Sequence, residues 1–559
     1  MSKNNKKKLG ELLVDFNYIT EEQLKEVIEE QGKDDRRLGQ ILVEKNYIKE
    51  DDLNQVLEFQ LGIPYVDLSK FNINPGLSEY IPEQLAQRYQ AVPLALEDNK
   101  LSVAMSDPSD LVAVDDLERA SGYKIEPLIA TQKEIKKALG IIYSTSEDDT
   151  AEVFASLNNY QSGEEPELDE LKQMVEDAPI VRLTNLIINQ AVQMRASDIH
   201  IEPQKDKVQV RYRVDGVLRK GMDAPKYSQA ALISRLKIIA NLDITRRRIP
   251  QDGRVKLNIK GMEVDLRVST LPTIFGEKVV IRILNRDEGL LNIGKLGFEG
   301  YNYEALKKLT KKPYGILLAT GPTGSGKSTT LFAILNQLND MKKNIITIED
   351  PVEYQIDGIN QVQANSKTNL TFARTLRSIL RQDPDIIMVG EIRDEETAQI
   401  AVRAALTGHL VLSTLHTNDA VSSITRLIDM GIPPYLVSST VIGVIAQRLL
   451  RRLCNSCKEE TSPDPEIKEF LELQDGEKIF KAKQNGCEKC SHTGYRGRIA
   501  VQEVLVVDEN MKELITDSAS ESKIKKYALD QGMITLTEDS KNKVKEGITS
   551  YQEAARIIV

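Results

Sequence analysis

The chain has no tryptophan, only four cysteines and four histidines in 559 residues, and no apolar run approaching the about 20 residues that span a bilayer. The missing apolar run excludes a transmembrane segment of its own. The N-terminus, MSKNNKKKLGELL, carries basic residues without the apolar core of a secretory signal, so export is not expected. Cysteines confined to two C-x-x-C pairs argue against a disulfide-stapled fold and for a reducing compartment. A basic excess is lacking too: 74 Lys and Arg against 84 Asp and Glu leave a net charge of -10. A nucleic-acid substrate is therefore not expected. What is present, 41% hydrophobic and 28% charged residues, is the composition of a soluble globular protein, and the length exceeds what one core organises, giving roughly three to five domains.

The first sixty residues repeat themselves. The pattern K-L-G-x-L-L-V-x-x-x-Y-I from Lys8, closing at Gln31, recurs from Arg37 to Gln60 with a period of 29 residues. Apolar positions at helical spacing, broken near Asn17 and Asn46, predict a short helical pair in each copy. A mixed segment with a strand over Leu101–Met105 completes a first domain, 1–143. From Ser144 to Glu170 there are nine Asp or Glu and no Lys or Arg, so 144–175 reads as an acidic, flexible linker. A helix near 179–194 and period-two strands such as Val208–Val214 and Val264–Val268 then predict an α+β domain over 176–286. Beyond it, short continuous apolar strands each followed by a helix predict a largely parallel, doubly covered α/β sheet over 287–559.

That last domain holds the strongest chemical signal. A strand, Gly315–Thr320, runs into Gly321, Pro322, Thr323, Gly324, Ser325, Gly326, Lys327, Ser328 and Thr329, and a helix follows. This is a P-loop in its required context: glycines turn backbone N–H groups toward phosphates, the helix N-terminus adds positive potential, Lys327 reaches the terminal phosphates and Ser328 ligates Mg²⁺. ATP with Mg²⁺ is the expected ligand.

Ligands of open α/β sheets sit beyond the carboxyl ends of strands, and two further strands end in acids there. One ends in Glu349, Asp350 and Glu353, the other in Glu391. Glu391 is expected to hold the metal and Glu353 to orient the attacking water. Acids in these places also serve as helix caps. A further strand ends at His416, which reads either as a sensor of the terminal phosphate or as a satisfied interface histidine, while His409 at its start reads as a core residue. Cys454, Cys457, Cys487 and Cys490 form two knuckles of the type expected to give a tetrahedral, structural Zn²⁺ site in an insertion over 454–490, the alternatives being reduced buried cysteines or a redox pair.

These motifs together resemble the secretion ATPase superfamily of type II secretion and type IV pili, in particular its pilus assembly members. The resemblance runs from about Ala178 to the C-terminus. It rests on R-A-S-D-I-H-I-E-P at 195–203, R-I-P-Q-D-G-R at 248–254, the P-loop, T-I-E-D-P-V-E-Y at 347–354, R-Q-D-P-D-I-I-M-V-G-E-I-R-D at 381–394 and T-G-H-L-V-L-S-T-L-H-T-N-D at 407–419. It implies a RecA-like P-loop ATPase domain preceded by a small, PAS-like α+β domain. It further implies a homohexamer at the cytoplasmic face of the membrane, whose ATP-driven rotations act on an inner-membrane platform protein. A similar tetracysteine insertion occurs in assembly and type II secretion members and is absent from retraction members. Arg254, Arg267 and Arg282 match positions whose guanidinium groups face the nucleotide at the subunit interface, the alternative being surface arginines paired with acids such as Asp252 or Asp265. The tandem repeat resembles the MshEN domain, a cyclic di-GMP receptor, which assigns Lys8, Leu9, Gly10, Gln31, Arg37, Leu38, Gly39 and Gln60 to that effector. Lys8 stands where the family has arginine and lacks its planar fork. The alternative is a helical docking domain that binds no nucleotide.

Overall fold

The computed structural model describes residues 9–31, 38–45, 47–68, 77, 80–97, 99–142, 174–175, 178–259, 262–285 and 292–558. The chain divides into two compact units, Met1–Val214 with Leu218–Leu284 and Asp215–Val217 with Asn285–Val559. Most of the stretch read as an acidic linker, 144–173, lies outside the described residues, as do Lys8, Arg37 and the side chain of Gln31.

In the first unit the repeat becomes four helices, α1 (Leu9–Asp15), α2 (Glu21–Gln31), α3 (Leu38–Glu44) and α4 (Glu50–Leu61). Asn17 adopts the left-handed conformation at the first break, φ 59°. The two copies interlock, α1 on α4 and α2 on α3. One shared core of Leu13, Val27, Ile41, Leu42 and Val56 results. Neither pair alone has a second layer on which to bury its apolar stripe, which is why a tandem copy is needed. Next in the chain, β1 (Ala91–Glu97), β2 (Lys100–Met105) and β3 (Lys124–Ile129) form a mixed sheet, β1 antiparallel and β3 parallel to β2. The crossover that a parallel pair requires is the helix Leu111–Ser121, whose N-terminus Asp110 caps by accepting from the N–H groups of Val112 and Ala113.

The six-stranded sheet of the same unit runs β6-β5-β4-β9-β8-β7. Its strands are β4 (Ala196–Pro203), β5 (Lys207–Val214), β6 (Val217–Pro225), β7 (Gln251–Ile259), β8 (Met262–Thr273) and β9 (Gly276–Asn285). Burial alternates along β5 as the sequence predicts: Val208, Val210 and Tyr212 face a core made with the helices Ala178–Gln193 and Gln229–Ile239. Under this sheet Lys237 forms a fully buried ion pair with Glu277 at 2.7 Å and also donates to the Arg246 carbonyl at 2.9 Å.

The second unit is built on seven strands in the order β12-β11-β13-β14-β10-β15-β18. They are β10 (Gly315–Thr320), β11 (Ile345–Glu349), β12 (Asn360–Gln363), β13 (Ile386–Val389), β14 (Leu410–Leu415) and β15 (Val441–Leu453), with a two-stranded excursion of β16 (Glu459–Thr461) and β17 (Ile479–Lys481) before β18 (Tyr495–Val506). Pairing is parallel from β12 through to β15 and antiparallel between β15 and β18. Ile316 and Leu318 of β10 enter one core while Leu317 and Ala319 enter the other, so the sheet is covered on both faces. The antiparallel edge pair is invisible to the continuous-run pattern, because buried strands read alike whatever their direction.

Candidate active site

Parallel pairing brings the carboxyl ends of four strands to one edge of the sheet. Thr320 of β10 stands opposite Leu415 of β14, and Ile348 of β11 opposite Val389 of β13. Glu349, Glu391 and His416 follow directly from these positions. The fold thus gathers at the P-loop residues that lie as far apart along the chain as Gly321 and His416.

The loop itself is a tight backbone turn. Gly321, Gly324 and Gly326 all have positive φ (144°, 78° and 88°), and a Cβ at Gly321 would strike the Gln447 carbonyl. The helix Lys327–Leu338 starts at Gly326, so the free N–H groups of its first turn open toward the loop. Pro322, Thr323, Gly324 and Ser328 are exposed, Thr329 is half-buried and Ser325 is buried. Lys327 is buried with its ammonium folded over the loop, donating to the carbonyls of Gly321 at 2.8 Å and Pro322 at 3.1 Å. Burial pushes the Lys327 pKa down, Glu391 opposes that shift and Arg448 adds to it.

The acids hold different places. Glu349 is buried and accepts from the Thr347 hydroxyl at 2.6 Å and the Gln361 amide at 3.1 Å. Burial raises its carboxyl above the ordinary range in spite of these bonds. Glu353 is half-buried, four residues beyond the end of β11, and its N–H donates to the Glu349 carboxylate. The next residue, Tyr354, meets Phe332 of the P-loop helix edge to face at 5.5 Å, which fixes this acid-bearing loop against the helix. Glu391 acts electrostatically on the Lys327 ammonium, pairs with Arg393 at 2.5 Å and has the His416 Nε2 3.6 Å away. His416 is about half exposed. His409, by contrast, has its Nδ1 2.8 Å from the Ala404 carbonyl, closing the end of the helix Glu395–Leu406, a structural histidine as its sequence context indicated.

Two residues at this edge went unread in the sequence. Gln447 on β15, 2% exposed, donates to the Ser325 carbonyl at 2.7 Å and accepts from the Thr330 hydroxyl at 2.7 Å, tying the loop to its helix. Its neighbour Arg448 donates to the carbonyl and side chain of Asn418 at 2.9 and 3.3 Å. The signal was a polar pair interrupting the apolar run Val441–Leu450. Thr320 and Thr417 complete the edge: the Thr417 N–H donates to the Thr320 hydroxyl at 3.0 Å, so the turn after β14 is pinned to the P-loop strand.

The three candidate arginines belong to the first unit. Arg254 of β7 pairs with Asp265, and Arg282 of β9 with Asp198 at 3.2 Å. Arg267 stands directly opposite Arg254 in the β7–β8 register. The ion pair expected as the alternative reading of Arg254 is present.

The four cysteines converge at the base of the excursion between β15 and β18. All four Sγ atoms lie within 4.8 Å of one another, with separations of 3.9 Å (Cys454–Cys487), 3.8 Å (Cys457–Cys490) and 3.8 Å (Cys487–Cys490). A tetrahedron of thiolates about 2.3 Å from zinc has edges of about 3.8 Å, so the cage fits that ion. Burial raises the Cys490 thiol, but N–H groups of Cys487 and Gly494 directed at its sulfur outweigh this and bring it to about 6. The cluster closes the loop that joins two paired strands.

In the repeat, Leu9 and Leu38 pack against the shared core, and Gly10 and Gly39 are buried. A Cβ at Gly10 would lie 2.6 Å from Leu24, and one at Gly39 3.0 Å from Leu53. Each glycine therefore admits the second helix of its own pair. Gln60 is half-buried.

A parallel sheet with a P-loop at its carboxyl edge, acids and a histidine on the neighbouring strand ends, and a cysteine cage beside it define a RecA-like P-loop ATPase. A family model described as "Type II/IV secretion system protein" matches residues 173–556 and one for the MshEN domain matches 61–149; the chain belongs to the type II/IV secretion system protein family and hydrolyses ATP. The type IV pilus assembly ATPase PilB of Myxococcus xanthus is 43% identical over 556 residues, covering 98% of each chain. The type II secretion system ATPase E of Vibrio cholerae is 43% identical, covering 85% of this chain and 96% of that one. Among solved structures, the Legionella pneumophila ATPase DotB shares the fold, with a TM-score of 0.52 at 22% identity over 67% of this chain and 95% of that one. The MshEN match begins at residue 61, after the tandem repeat.

Proposed function

We propose that this protein is the hexameric motor of type IV pilus assembly, converting ATP hydrolysis into domain rotations that act on a platform protein at the cytoplasmic face of the inner membrane. The observation that carries this reading is the match to a pilus assembly ATPase over 98% of both chains. Among the described residues no helix is long and apolar enough to cross a membrane, so the chain would reach the bilayer through its partners.

In this reading the P-loop from Gly321 to Thr329, through its backbone N–H groups other than at Pro322, and the Lys327 ammonium hold the triphosphate. Ser328 and Glu391 would hold Mg²⁺, which supplies charge neutralisation between the terminal phosphates. Glu353 orients and deprotonates the attacking water, and His416, in contact range of Glu391, follows the state of the terminal phosphate. Arg254, Arg267 and Arg282 act from a neighbouring subunit, which requires Arg254 and Arg282 to exchange their aspartates for phosphate oxygens. Cys454, Cys457, Cys487 and Cys490 hold a structural zinc. Cyclic di-GMP is the regulatory ligand of the first domain, a reading supported by the MshEN match and by the duplicated motif from Leu9 to Gln60.

The deciding experiment removes the gene from its host and counts surface pili and exported proteins. Loss of pili with normal export is expected; the reverse pattern overturns the pilus reading. The type II secretion motor is the second reading, favoured by an equal 43% identity to the Vibrio enzyme. Titrating the full chain with cyclic di-GMP tests the effector, and no binding at tens of micromolar removes it.

A further inference from the structure

Three positive or hydrogen-bond-donating groups meet on the P-loop backbone, and only one of them, Lys327, belongs to the motif. The Lys327 ammonium sits on the Gly321 carbonyl at 2.8 Å. The Gln447 amide holds the Ser325 carbonyl at 2.7 Å. The Arg448 guanidinium lies against the same glycine, its Nη1 3.1 Å from where a Cβ on Gly321 would stand. Lysine in a P-loop marks the terminal-phosphate end of the nucleotide. Arg448 is therefore at that end too.

The hydrogen-bond partners of Arg448 are all neutral. The residue is half-buried and donates to the carbonyls of Gln447 (3.1 Å) and Asn418 (2.9 Å) and to the Asn418 side chain (3.3 Å). Among the described residues no carboxylate forms an ion pair with it. Glu391, the anion that Lys327 feels, is already engaged by Arg393 and His416. Asp419 and Glu503 bear on Arg448 electrostatically without an ion-pair contact, so its guanidinium stays close to the P-loop with only neutral oxygens bonded to it. Five fixed donors in a planar fork suit a phosphate better than the amide oxygens they now hold.

We propose that Arg448 is a ligand of the terminal phosphate supplied by the same subunit, the residue that lets this site tell a nucleoside triphosphate from a diphosphate. On triphosphate binding its guanidinium leaves the Asn418 oxygens for a phosphate oxygen. This rests on the ATPase reading of the P-loop.

The test measures the affinity of the full chain for ADP and for the non-hydrolysable β,γ-imido analogue of ATP, by calorimetry, in the parent, Arg448→Gln and Arg448→Lys. Loss of one charge-assisted contact weakens the analogue by about 10- to 100-fold. ADP affinity should stay within about twofold, because the contact is absent from the diphosphate complex. Arg448→Lys, which keeps the charge but not the fork, should fall between the two. Equal weakening of both nucleotides, or of neither, overturns the proposal in favour of a structural role. If Arg448→Gln does not fold, the Arg448→Lys affinity ratio decides alone, an unchanged ratio being the negative result. A parent that binds neither nucleotide would sink the ATPase reading instead, so the two failures are distinguishable.

Discussion

Phe16 and Phe59 meet edge to face with ring centroids 5.4 Å apart, and the positions one repeat away from them, Lys45 and Glu30, meet as an ion pair at 2.7 Å. The two contacts are the same place in the two halves of a pseudo-twofold arrangement. Gly10 against Leu24 and Gly39 against Leu53 repeat the symmetry. The repeat gives the four helices one geometry twice, with aromatic rings at one equivalent site and charges at the other.

This relationship predicts what each half tolerates. Phe59→Ala should loosen α1 against α4 by about 0.5–1.5 kcal/mol, the worth of an aromatic pair. The double change Phe16→Lys with Phe59→Glu copies the other half and should recover part of that loss. Hydrogen exchange of the α1 and α4 amides in the full chain measures both, and a double variant looser than Phe59→Ala would contradict the symmetry.

Lys327→Ala should lower ATP turnover on the order of 10²-fold or more, because no other described ammonium reaches the Gly321 carbonyl. Glu391→Gln should do the same while leaving nucleotide affinity closer to the parent value. Phosphate release by the purified chain reports both. Parent-like turnover in Lys327→Ala would remove the P-loop from the chemistry.

Glu349 sets a pH dependence whose sign follows from its burial. Its carboxyl titrates above the ordinary value of 4.5 in the folded chain. Between that value and its raised native one the folded state binds more protons, so the stabilisation is complete below 4.5 and is lost as pH rises through the native value. Glu349→Gln should therefore gain stability relative to the parent toward neutral pH and lose that advantage near pH 4.5. Urea midpoints at the two ends of this range provide the comparison.

The buried Lys237–Glu277 pair, 1% and 9% exposed, should behave asymmetrically. Lys237→Ala strands a carboxylate in the interior and should cost about 3–5 kcal/mol. Lys237→Met with Glu277→Leu removes both charges and should recover much of the loss. Thermal melting of the three proteins checks the order, and equal loss in single and double variants would assign the cost to packing rather than to charge.

The P-loop was legible in the sequence because it is local: its glycines, lysine and serine are contiguous, and strand and helix flank them. The cysteine cage was legible because C-x-x-C fixes half of a tetrahedron within one turn. The helical repeat was legible because 29-residue self-similarity needs no tertiary information. Gln447 was not, since it lies 122 residues from the Ser325 carbonyl it holds. Nor was the partner of His416, because Glu391 beside it comes from a different strand, 25 residues earlier in the chain.

By itself the sequence determined the elements and the chemistry each can carry: which strands are buried on two faces, which loop turns on glycine, which thiols pair. Only the tertiary structure decided which of those groups share a pocket. Parallel pairing of β11, β13, β14 and β10 places Glu349, Glu391 and His416 on one edge with the P-loop, and the antiparallel return of β18 leaves β15 beside β10, where Arg448 reaches Gly321. The physical reason is that side-chain period and propensity are set within a few residues, whereas strand order is set by the burial of whole faces, which no local window contains.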